Sequence, residues 1–310
     1  MKSPQFFLKL GQTMDPGNKE KAERKKKKEK TVSCKKIAQF SCPNFVPQDV
    51  TLQKWDVENP KHKLPDDFFC IIVGSRRIGK SVFAKYILYH YRKIFDLALV
   101  CTETPQNGYW QPIVGNQFVH EGMNGFLLEH LFDKQKQARD EEIQSNGRKK
   151  ADHVLVILDD VIADRAKIHE DPQLNRLAVQ GRHLYISVIL TTQYPKAINT
   201  MLRENADLAV IFQQKTQRAK DAVFEDFLTK LGKKQEVIPI LSKYTVEHDC
   251  VVVENWKLKQ NATDVIFWLP GSVTWDSSKD KCTVPDYQLG SQEQQLLAKT
   301  KKGSVPIFSQ

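Results

Sequence analysis

Short apolar runs alternate with longer amphipathic segments from Asp66 onward, and this alternation limits the fold more than any other feature of the 310-residue chain. The runs are FFCIIV (68–73), LALVC (97–101), HVLVIL (153–158), YISVIL (185–190) and LAVIF (208–212). Runs rich in Val, Ile and Leu without polar alternation are typical of strands covered on both faces. Helical patterns lie between them, over 80–92, 125–144, 173–183, 195–205 and 216–231. The sequence therefore predicts an α/β fold with a mostly parallel central sheet and helices on both faces. CVVVEN (250–255) and DVIFWL (264–269) are expected to extend this sheet or to form a hairpin at its edge.

The first apolar run leads into a segment that fits the P-loop pattern G-x-x-x-x-G-K-[ST], with a predicted strand before it and a predicted helix after it. Glycines let the backbone fold around an anion, and the helix N-terminus presents amides to it. Lys80 is expected to reach the β- and γ-phosphates, and the Ser81 hydroxyl to bind Mg²⁺. The predicted nucleotide-binding residues are Gly74, Ser75, Arg76, Arg77, Ile78, Gly79, Lys80, Ser81 and Val82. For Arg76 and Arg77 a solvated loop tip is favoured over a contact with the γ-phosphate or a neighbouring subunit.

The run HVLVILDDV (153–161) ends in two acids, Asp159 and Asp160, about 80 residues after the P-loop. A P-loop needs an acidic partner for its metal, so this run is predicted to be the Walker B strand. Asp159 is expected to bind Mg²⁺, directly or through water, and Asp160 to orient or deprotonate the attacking water. The reverse assignment of the two aspartates remains an alternative.

The next strand, YISVILTTQY, ends in Thr191, Thr192 and Gln193. Ligands of open parallel sheets bind beyond the carboxyl ends of the strands, so Gln193 is expected to contact the γ-phosphate or its water. A GTPase would carry an NKxD motif after a later strand, and the Asn-Lys pair of this chain, at 18–19, lies in the basic N-terminal segment instead.

Four segments together, VGSRRIGKS, VLVILDDV, QGRHLYISVILTTQYP and LRENADLAVIF, resemble the DNA-packaging ATPases of nucleocytoplasmic large DNA viruses. These are the poxvirus-type branch of the FtsK and HerA superfamily, and the resemblance covers roughly residues 66–270. It implies a RecA-like (ASCE) P-loop fold in which the TTQ strand lies between the P-loop strand and the Walker B strand. It also implies that Gln193 is a sensor that couples the nucleotide state to motion.

The resemblance further implies a ring of subunits whose ATP sites are completed by an arginine of the neighbour. Arg182 best matches that catalytic arginine in trans, and Arg203 is the second choice. A surface salt bridge remains the alternative for either residue. The second acid is glutamate in many cellular relatives, whereas viral members often have aspartate, as this chain does at Asp160.

The function implied by the resemblance is that of a motor that hydrolyses ATP with Mg²⁺ and translocates double-stranded viral genomic DNA into the capsid. The implied partners are duplex DNA, further copies of the chain in a homo-oligomeric ring, and capsid or inner-membrane components of the virion. The implied location is the virion and the viral factory in the host cytoplasm. Two alternatives stay open: a cellular-type FtsK/HerA-like translocase or conjugation ATPase, and a non-hydrolysing P-loop scaffold protein of the virion. The complete set of P-loop lysine, serine, acids and sensor glutamine speaks against a scaffold.

The chain is predicted to consist of a largely disordered basic arm (1–39), an extended lead-in (40–65), a P-loop ATPase domain (66–270) and a C-terminal tail (271–310). Residues 1–36 hold twelve Lys and Arg against four acids, so nearly all of the net charge of +10 lies there. Such a segment cannot bury enough apolar surface to offset the entropy of ordering. Its run from Arg24 to Lys28 can bind DNA, direct the protein to the nucleus or keep the arm soluble.

The composition favours neither a membrane-spanning protein nor a protein held together by zinc or disulfide bonds. No stretch approaches the roughly 20 apolar residues that a membrane-spanning helix needs. The six cysteines form no CxxC pair and have no histidines at zinc-ligand spacing, so free thiols in a reducing compartment are expected. An intracellular protein without a transmembrane segment is predicted.

Overall fold

The structure, a computed structural model, describes residues 51–161, 171–257 and 264–284 together with Tyr287 and Leu289. All of these belong to the unit that spans Asn44–Gln310. The predicted basic arm, with its Arg24 to Lys28 run, lies outside the described residues, as do residues 291–310 of the predicted C-terminal tail.

Eight strands form one sheet in the order β3-β2-β4-β5-β1-β6-β7-β8. Their bounds are β1 Phe69–Val73, β2 Leu97–Thr102, β3 Val119–Glu121, β4 Val154–Asp159, β5 Ile186–Thr192, β6 Leu208–Ile211, β7 Cys250–Glu254 and β8 Ile266–Leu269. The first six are parallel, while β7 and β8 run antiparallel to their neighbours. The predicted mostly parallel sheet is confirmed, and the 250–255 and 264–269 runs extend it at one edge. A separate two-stranded hairpin consists of β9 (Trp275–Asp276) and β10 (Lys281–Cys282).

Strand β5 lies between the P-loop strand β1 and the Walker B strand β4. Thr191 of β5 is opposite Asp159 of β4, and Thr192 is opposite Val73 of β1. This is the strand order that the RecA-like resemblance implies, and the prediction is confirmed. The carboxyl ends of three neighbouring strands therefore meet at one edge of the sheet.

Seven α-helices connect these strands within the described residues. Their bounds are α1 Lys80–Tyr91, α2 Gln111–Val114, α3 Gly125–Gln144, α4 Pro172–Gln180, α5 Thr200–Glu204, α6 Gln217–Val223 and α7 Lys234–Lys243. Asx and Thr side chains cap several of their N-termini: Asn124 for α3, Asp171 for α4, Asn199 for α5 and Thr216 for α6. Such caps satisfy amides that have no partner inside the helix.

Three of the predicted helical patterns are divided into shorter pieces. The 195–205 pattern forms a 3₁₀ turn (Pro195–Ala197) and then α5, because Asn199 is extended and starts a new helix. The 216–231 pattern continues from α6 through a π-helical turn (Phe224–Leu228) and a 3₁₀ turn (Thr229–Leu231). The 173–183 pattern ends as α4 followed by a 3₁₀ turn over Gly181–Leu184.

The sheet is covered on both faces, as predicted. In β1 the side chains of Phe69, Ile71 and Val73 face one apolar cluster, while Cys70 and Ile72 face the other. Helices α3 to α7 contribute to the first cluster, and α1 and α2 to the second. Each fully buried side chain of this size stabilises the fold by roughly 1.5–3 kcal/mol. The continuous burial of β1 explains why its sequence shows no polar alternation.

The lead-in extends the sheet beyond β8. The backbone N–H of Trp55 donates to the Trp268 carbonyl at 2.8 Å, and Trp268 N–H donates to the Gln53 carbonyl at 2.9 Å. The Trp55 indole donates to Oε1 of Glu254 at 2.9 Å, and His62 Nδ1 lies 2.7 Å from the same oxygen. Lys257 pairs with the other oxygen of Glu254, which is fully buried. A buried carboxylate thus joins the lead-in to β7.

Two features of the composition can be compared with the structure. Within the described residues, no helix is long and apolar enough to cross a membrane. Four cysteines, Cys70, Cys101, Cys250 and Cys282, are free thiols there, and three of them are buried.

Candidate active site

The P-loop connects β1 to α1 and is shaped by its two glycines. A Cβ added to Gly74 would lie 2.6 Å from Cβ of Phe212 and 2.9 Å from Cγ2 of Ile78, so only glycine fits there. Gly79 has a φ of 104°, which glycine adopts without strain. The N–H of Gly74 donates to the Thr192 carbonyl at 3.1 Å. The loop is therefore packed against Phe212, which follows β6, and hydrogen-bonded to the end of β5.

Lys80 is the first residue of α1 and is 7% exposed. Its ammonium donates to the Ser75 carbonyl at 3.2 Å, inside the P-loop. Burial lowers the pKa of Lys80, and the nearby Asp160 and Asp159 carboxylates act against this shift. A buried ammonium that is poorly compensated by water suits a multiply charged anion such as a phosphate chain.

The remaining loop residues divide into exposed and inward positions. Arg76 and Arg77 are exposed, and Arg77 has a φ of 62° at the loop tip. Ile78 is buried, and its carbonyl accepts a hydrogen bond from Nδ1 of His248 at 3.1 Å. Because a carbonyl only accepts, this Nδ1 carries the proton. His248 is a P-loop contact that the motif does not predict.

Ser81 and Asp159 face each other across the site. The Ser81 hydroxyl lies 2.9 Å from Oδ1 and 3.0 Å from Oδ2 of Asp159. Thr191 of β5 donates to Oδ1 at 2.9 Å, and the indole of Trp110 donates to Oδ2 at 2.9 Å. Asp159 is itself buried. Its carboxylate is held by donors from three different parts of the chain.

Asp160 follows Asp159 at the end of β4 and turns out of the strand. Its φ is 56°, a left-handed conformation that Asp tolerates better than most residues. Its N–H donates to the Thr191 hydroxyl at 2.9 Å. Its Oδ2 accepts a hydrogen bond from the side-chain amide of Gln193. The structure thus brings together both acids and the glutamine that the sequence singles out.

These side chains fit a nucleotide-bound Mg²⁺. A serine hydroxyl and a carboxylate are hard oxygen ligands, which Mg²⁺ prefers. Mg²⁺ usually keeps several waters and is bound by one or two carboxylates with substrate phosphates, rather than by an all-protein cage. No cluster of three or more His, Cys, Asp or Glu side chains that could form such a cage exists in the described part of the chain. Ser81 and Asp159 are the residues that would hold the ion.

Arg182 and Arg203 do not approach this site. Arg182 precedes β5 and Arg203 precedes β6, so both lie at the amino ends of strands, at the opposite edge of the sheet from the P-loop. They line one cavity of about 410 Å³ together with Asp207 and Asp226. Arg203 donates to the Ile198 carbonyl and lies 3.5 Å from the Asp226 carboxylate. The Arg182 side chain is exposed.

Two contacts of the site are absent from the sequence prediction. Trp110 belongs to the segment after β2, and His248 to the turn before β7. The one local signal is an aromatic pair, Tyr109 and Trp110, directly after the polar stretch ETPQNG (103–108) that follows a predicted strand.

Comparison with known proteins gives one family and several relatives. The model of a family described as "Poxvirus A32 protein" matches residues 58–258. An uncharacterized protein of Acanthamoeba polyphaga mimivirus, L437, is 22% identical over 209 residues, which are 67% of this chain and 74% of that protein. An uncharacterized protein of Frog virus 3, 015R, is 26% identical over 200 residues, or 64% of this chain and 60% of that protein.

Among solved structures, the genome packaging NTPase B204 from Sulfolobus turreted icosahedral virus 2, in complex with AMPPCP, is similar to this chain. Its TM-score is 0.47 at 13% identity, and the match covers 67% of this chain and 99% of B204.

Proposed function

Because the chain belongs to the poxvirus A32 protein family, as the resemblance of its motifs predicts, we propose that it is an ATP-hydrolysing motor that translocates double-stranded viral genomic DNA into the capsid. One arrangement carries the proposal: Lys80 and Ser81 of the P-loop face Asp159, Asp160 and Gln193 at the carboxyl ends of neighbouring strands. A loop for phosphate, a metal carboxylate, a second acid and a polar sensor are the parts that nucleotide hydrolysis requires.

The P-loop is proposed to hold ATP with Mg²⁺. Backbone amides around Gly79 and the N-terminus of α1 would contact the phosphates, and the Lys80 ammonium would reach the β- and γ-phosphates. Ser81 and Asp159 would hold Mg²⁺, which when bound neutralises charge that develops on the phosphate oxygens. Arg76 and Arg77, at the exposed loop tip, are not needed for either contact.

Asp160 is proposed to orient and deprotonate the attacking water. Its Oδ2 already accepts the Gln193 amide, so Oδ1 is left to accept a proton from water. Two contacts connect the site to β5: the Gln193 amide donates to Asp160, and Gly74 N–H donates to the Thr192 carbonyl. A change at the γ-phosphate would reach β5 through both. Gln193 is therefore the proposed sensor.

The active assembly is proposed to be a ring of copies of this chain. A head-to-tail interface joins two different surfaces of the subunit and closes into a ring when the rotation permits. Such an interface can place the exposed Arg182 of one copy beside the P-loop edge of the next. Arg203 is less suited, because its guanidinium is already bonded to Ile198 and paired with Asp226. Arg182 is therefore the proposed arginine in trans.

Duplex DNA is the proposed track, held through its phosphates without reading of sequence. Capsid or inner-membrane components of the virion are the proposed docking partners. The virion and the viral factory of the host cytoplasm are the proposed locations.

The test is ATP hydrolysis by the purified protein with and without duplex DNA, beside Lys80→Ala and Asp160→Asn. We expect hydrolysis that DNA stimulates, loss of nucleotide binding in Lys80→Ala, and nucleotide binding without hydrolysis in Asp160→Asn. Hydrolysis that ignores DNA would count against a translocase. Nucleotide binding without hydrolysis in the wild type would favour the scaffold alternative, and equal rates in Lys80→Ala and wild type would remove the site assignment.

A further inference from the structure

We propose that Trp110 is a positioning residue of the metal site, whose buried indole N–H fixes the carboxylate of Asp159 in the orientation that serves Mg²⁺. The inference rests on the proposed function in one respect, that Asp159 is the metal carboxylate. It does not require that the protein translocates DNA or that Asp160 is the base.

The contact is short, buried and long-range in sequence. Trp110 is 1% exposed, and its Nε1 donates to Oδ2 of Asp159 at 2.9 Å across 49 residues of chain. A hydrogen bond to an ionised carboxylate is roughly twice as strong as a neutral one. In a buried setting, loss of this hydrogen bond leaves Oδ2 of Asp159 with the Ser81 hydroxyl alone. The indole is therefore part of what keeps the Asp159 carboxylate oriented.

The three donors to Asp159 differ in how firmly they set its direction. Ser81 and Thr191 contribute hydroxyls, which rotate and can accept as well as donate. The Trp110 indole is a donor only, and its N–H direction is fixed by a ring that is packed on all sides. When Ser81 turns its oxygen toward a metal, Trp110 and Thr191 are the donors that keep the carboxylate in place.

The segment that carries Trp110 is itself held firmly. The Trp110 carbonyl accepts from Ile113 N–H at 2.9 Å, which forms the first turn of α2. The Ile113 carbonyl in turn accepts from Leu289 N–H at 2.6 Å, and the Tyr109 ring packs edge-on against the indole at 5.1 Å. An indole on a rigid segment can fix the orientation of a carboxylate, whereas an indole on a flexible loop would move together with the carboxylate.

An indole cannot bind a metal ion or move a proton at this position, because it has no lone pair to offer. Its effect must therefore appear in metal affinity rather than in the chemistry itself. Partners that orient metal ligands change metal affinity by about 10–100-fold when they are removed. Loss of this N–H is expected to weaken the coupling between Mg²⁺ and nucleotide by at least about tenfold.

The experiment compares Trp110→Phe with Trp55→Phe in the full chain. Both substitutions keep an aromatic ring and remove one buried indole N–H that donates to a carboxylate at 2.9 Å. Trp55 donates to Glu254, outside the candidate site, so it is a matched control for lost stability. Calorimetry measures the Kd for a non-hydrolysable ATP analogue in EDTA and in Mg²⁺. The readout is the Kd in EDTA divided by the Kd in Mg²⁺, which grows with the coupling between metal and nucleotide.

We expect this ratio to fall about tenfold or more in Trp110→Phe, with the affinity in EDTA unchanged, and to stay at the wild-type value in Trp55→Phe. An unchanged ratio in a folded Trp110→Phe would overturn the proposal, as would an equal fall in both variants. A wild type that couples Mg²⁺ to the nucleotide but does not hydrolyse it would refute the proposed function and leave this inference standing. A wild type without any Mg²⁺ coupling would refute both.

A second measurement avoids any loss of folding in the Trp110 variant. The chain has five tryptophans, and Phe substitutions at the other four positions assign their indole N–H signals in an NMR spectrum of ¹⁵N-labelled protein. The remaining signal of the wild type then belongs to Trp110. It should shift when Mg²⁺ is added to the nucleotide-bound protein in EDTA, and a signal that does not move would contradict the proposal.

Discussion

The side-chain amide of Gln193 donates to the carboxylate of Asp160, so the ends of β5 and β4 are joined beside the P-loop. The same strand β5 also accepts the N–H of Gly74 through the carbonyl of Thr192. A single strand therefore contacts the proposed base and the phosphate loop. Any displacement of β5 changes both at once.

Replacing Gln193 should lower the rate of hydrolysis more than the affinity for ATP. Gln193→Ala removes the donor that orients Asp160, and we expect kcat to fall by about 10²-fold with KM nearly unchanged. Gln193→Glu places a second carboxylate against Asp160 and should be at least as slow, since like charges repel. Steady-state kinetics measure both constants. Gln137→Ala, on the exposed surface of α3, is the control, and a rise in KM alone would contradict the sensor role.

Lys80→Met should abolish nucleotide-induced stabilisation without weakening the free protein. Wild type is expected to gain about 2.7 kcal/mol at a nucleotide concentration a hundredfold above its Kd, and the variant none. Thermal unfolding with and without Mg-ATP measures this gain. Lys85→Met, on the same helix, is the control that should keep the wild-type gain.

The difference in stability between wild type and Lys80→Met should depend on pH. Burial lowers the pKa of Lys80 below 10.5, so between the two values the native state binds fewer protons than the unfolded chain. Wild-type stability should therefore rise with pH through that window relative to Lys80→Met, which lacks the group. A difference between the two proteins that does not change with pH would show that Lys80 is not desolvated.

Substitution of Arg203 and of Arg182, which both lie at the amino ends of strands, should have different effects on the free energy of unfolding. Arg203→Ala removes bonds to Ile198 and Asp226 and should lower the free energy of unfolding by about 1–3 kcal/mol. Arg182→Ala, an exposed substitution, should change it by less than about 0.5 kcal/mol. Denaturant unfolding measures both.

Arg182→Ala should nevertheless reduce hydrolysis by the assembled protein, because it removes the proposed arginine in trans. Mixing Arg182→Ala subunits with Asp160→Asn subunits should restore part of the activity, since some interfaces then combine an intact arginine with an intact base. Mixtures that stay as inactive as either variant alone, in assemblies shown to contain both, would argue against a shared site.

Asp207→Asn should stabilise the protein at neutral pH. Burial raises the pKa of Asp207, while the N–H of Phe69, which donates to its Oδ2 at 2.8 Å, acts against the shift. Between pH 3.8 and the raised pKa the native state binds more protons than the unfolded chain, so wild-type stability falls as pH rises through this interval. Asparagine keeps an acceptor for Phe69 and removes the partly buried charge. Its advantage should be present at pH 7.5 and disappear as pH falls toward 4.

Asp221→Asn should change stability with the opposite dependence on pH, because the pKa of Asp221 is lowered rather than raised. Hydrogen bonds from Lys234 and Gln217 lower the pKa of this exposed carboxyl. Its substitution should cost little, because solvent screens an ion pair at the protein surface, and the loss should shrink at low pH. Urea unfolding at several pH values measures both variants, and parallel pH profiles for the two would contradict the assignment of Asp207 as desolvated.

The sequence was sufficient to predict the parallel strands, because each is buried on both faces and therefore uniformly apolar. Strand β3 is not predicted, because it has three residues and none of them is fully buried, so it produces no apolar run in the sequence. Helix α7 was missed because Pro239 lies inside it and interrupts the helical pattern. The division of the 216–231 pattern into three kinds of helical turn depends on packing against neighbours, which local periodicity does not contain.

The candidate site was predictable where its residues follow strand ends at fixed spacing. Asp159, Asp160 and Gln193 are placed by the register of β4 and β5, so their proximity follows from the sheet order. Trp110 and His248 come from connections whose approach to the site depends on the whole fold. No periodicity or motif in these connections indicates which direction they take.

The contact between the lead-in and Glu254 sets a lower limit on the length of chain that can fold. A shortened protein that begins at Asp66 would lack Trp55 and His62. Among the described residues, the fully buried Glu254 would then keep Lys257 as its side-chain partner. Leaving a buried acceptor without its hydrogen-bond donors costs about 1–3 kcal/mol, a substantial part of the stability of most domains. The candidate site begins at the end of β1, but we expect the stably folded unit to start upstream of Trp55.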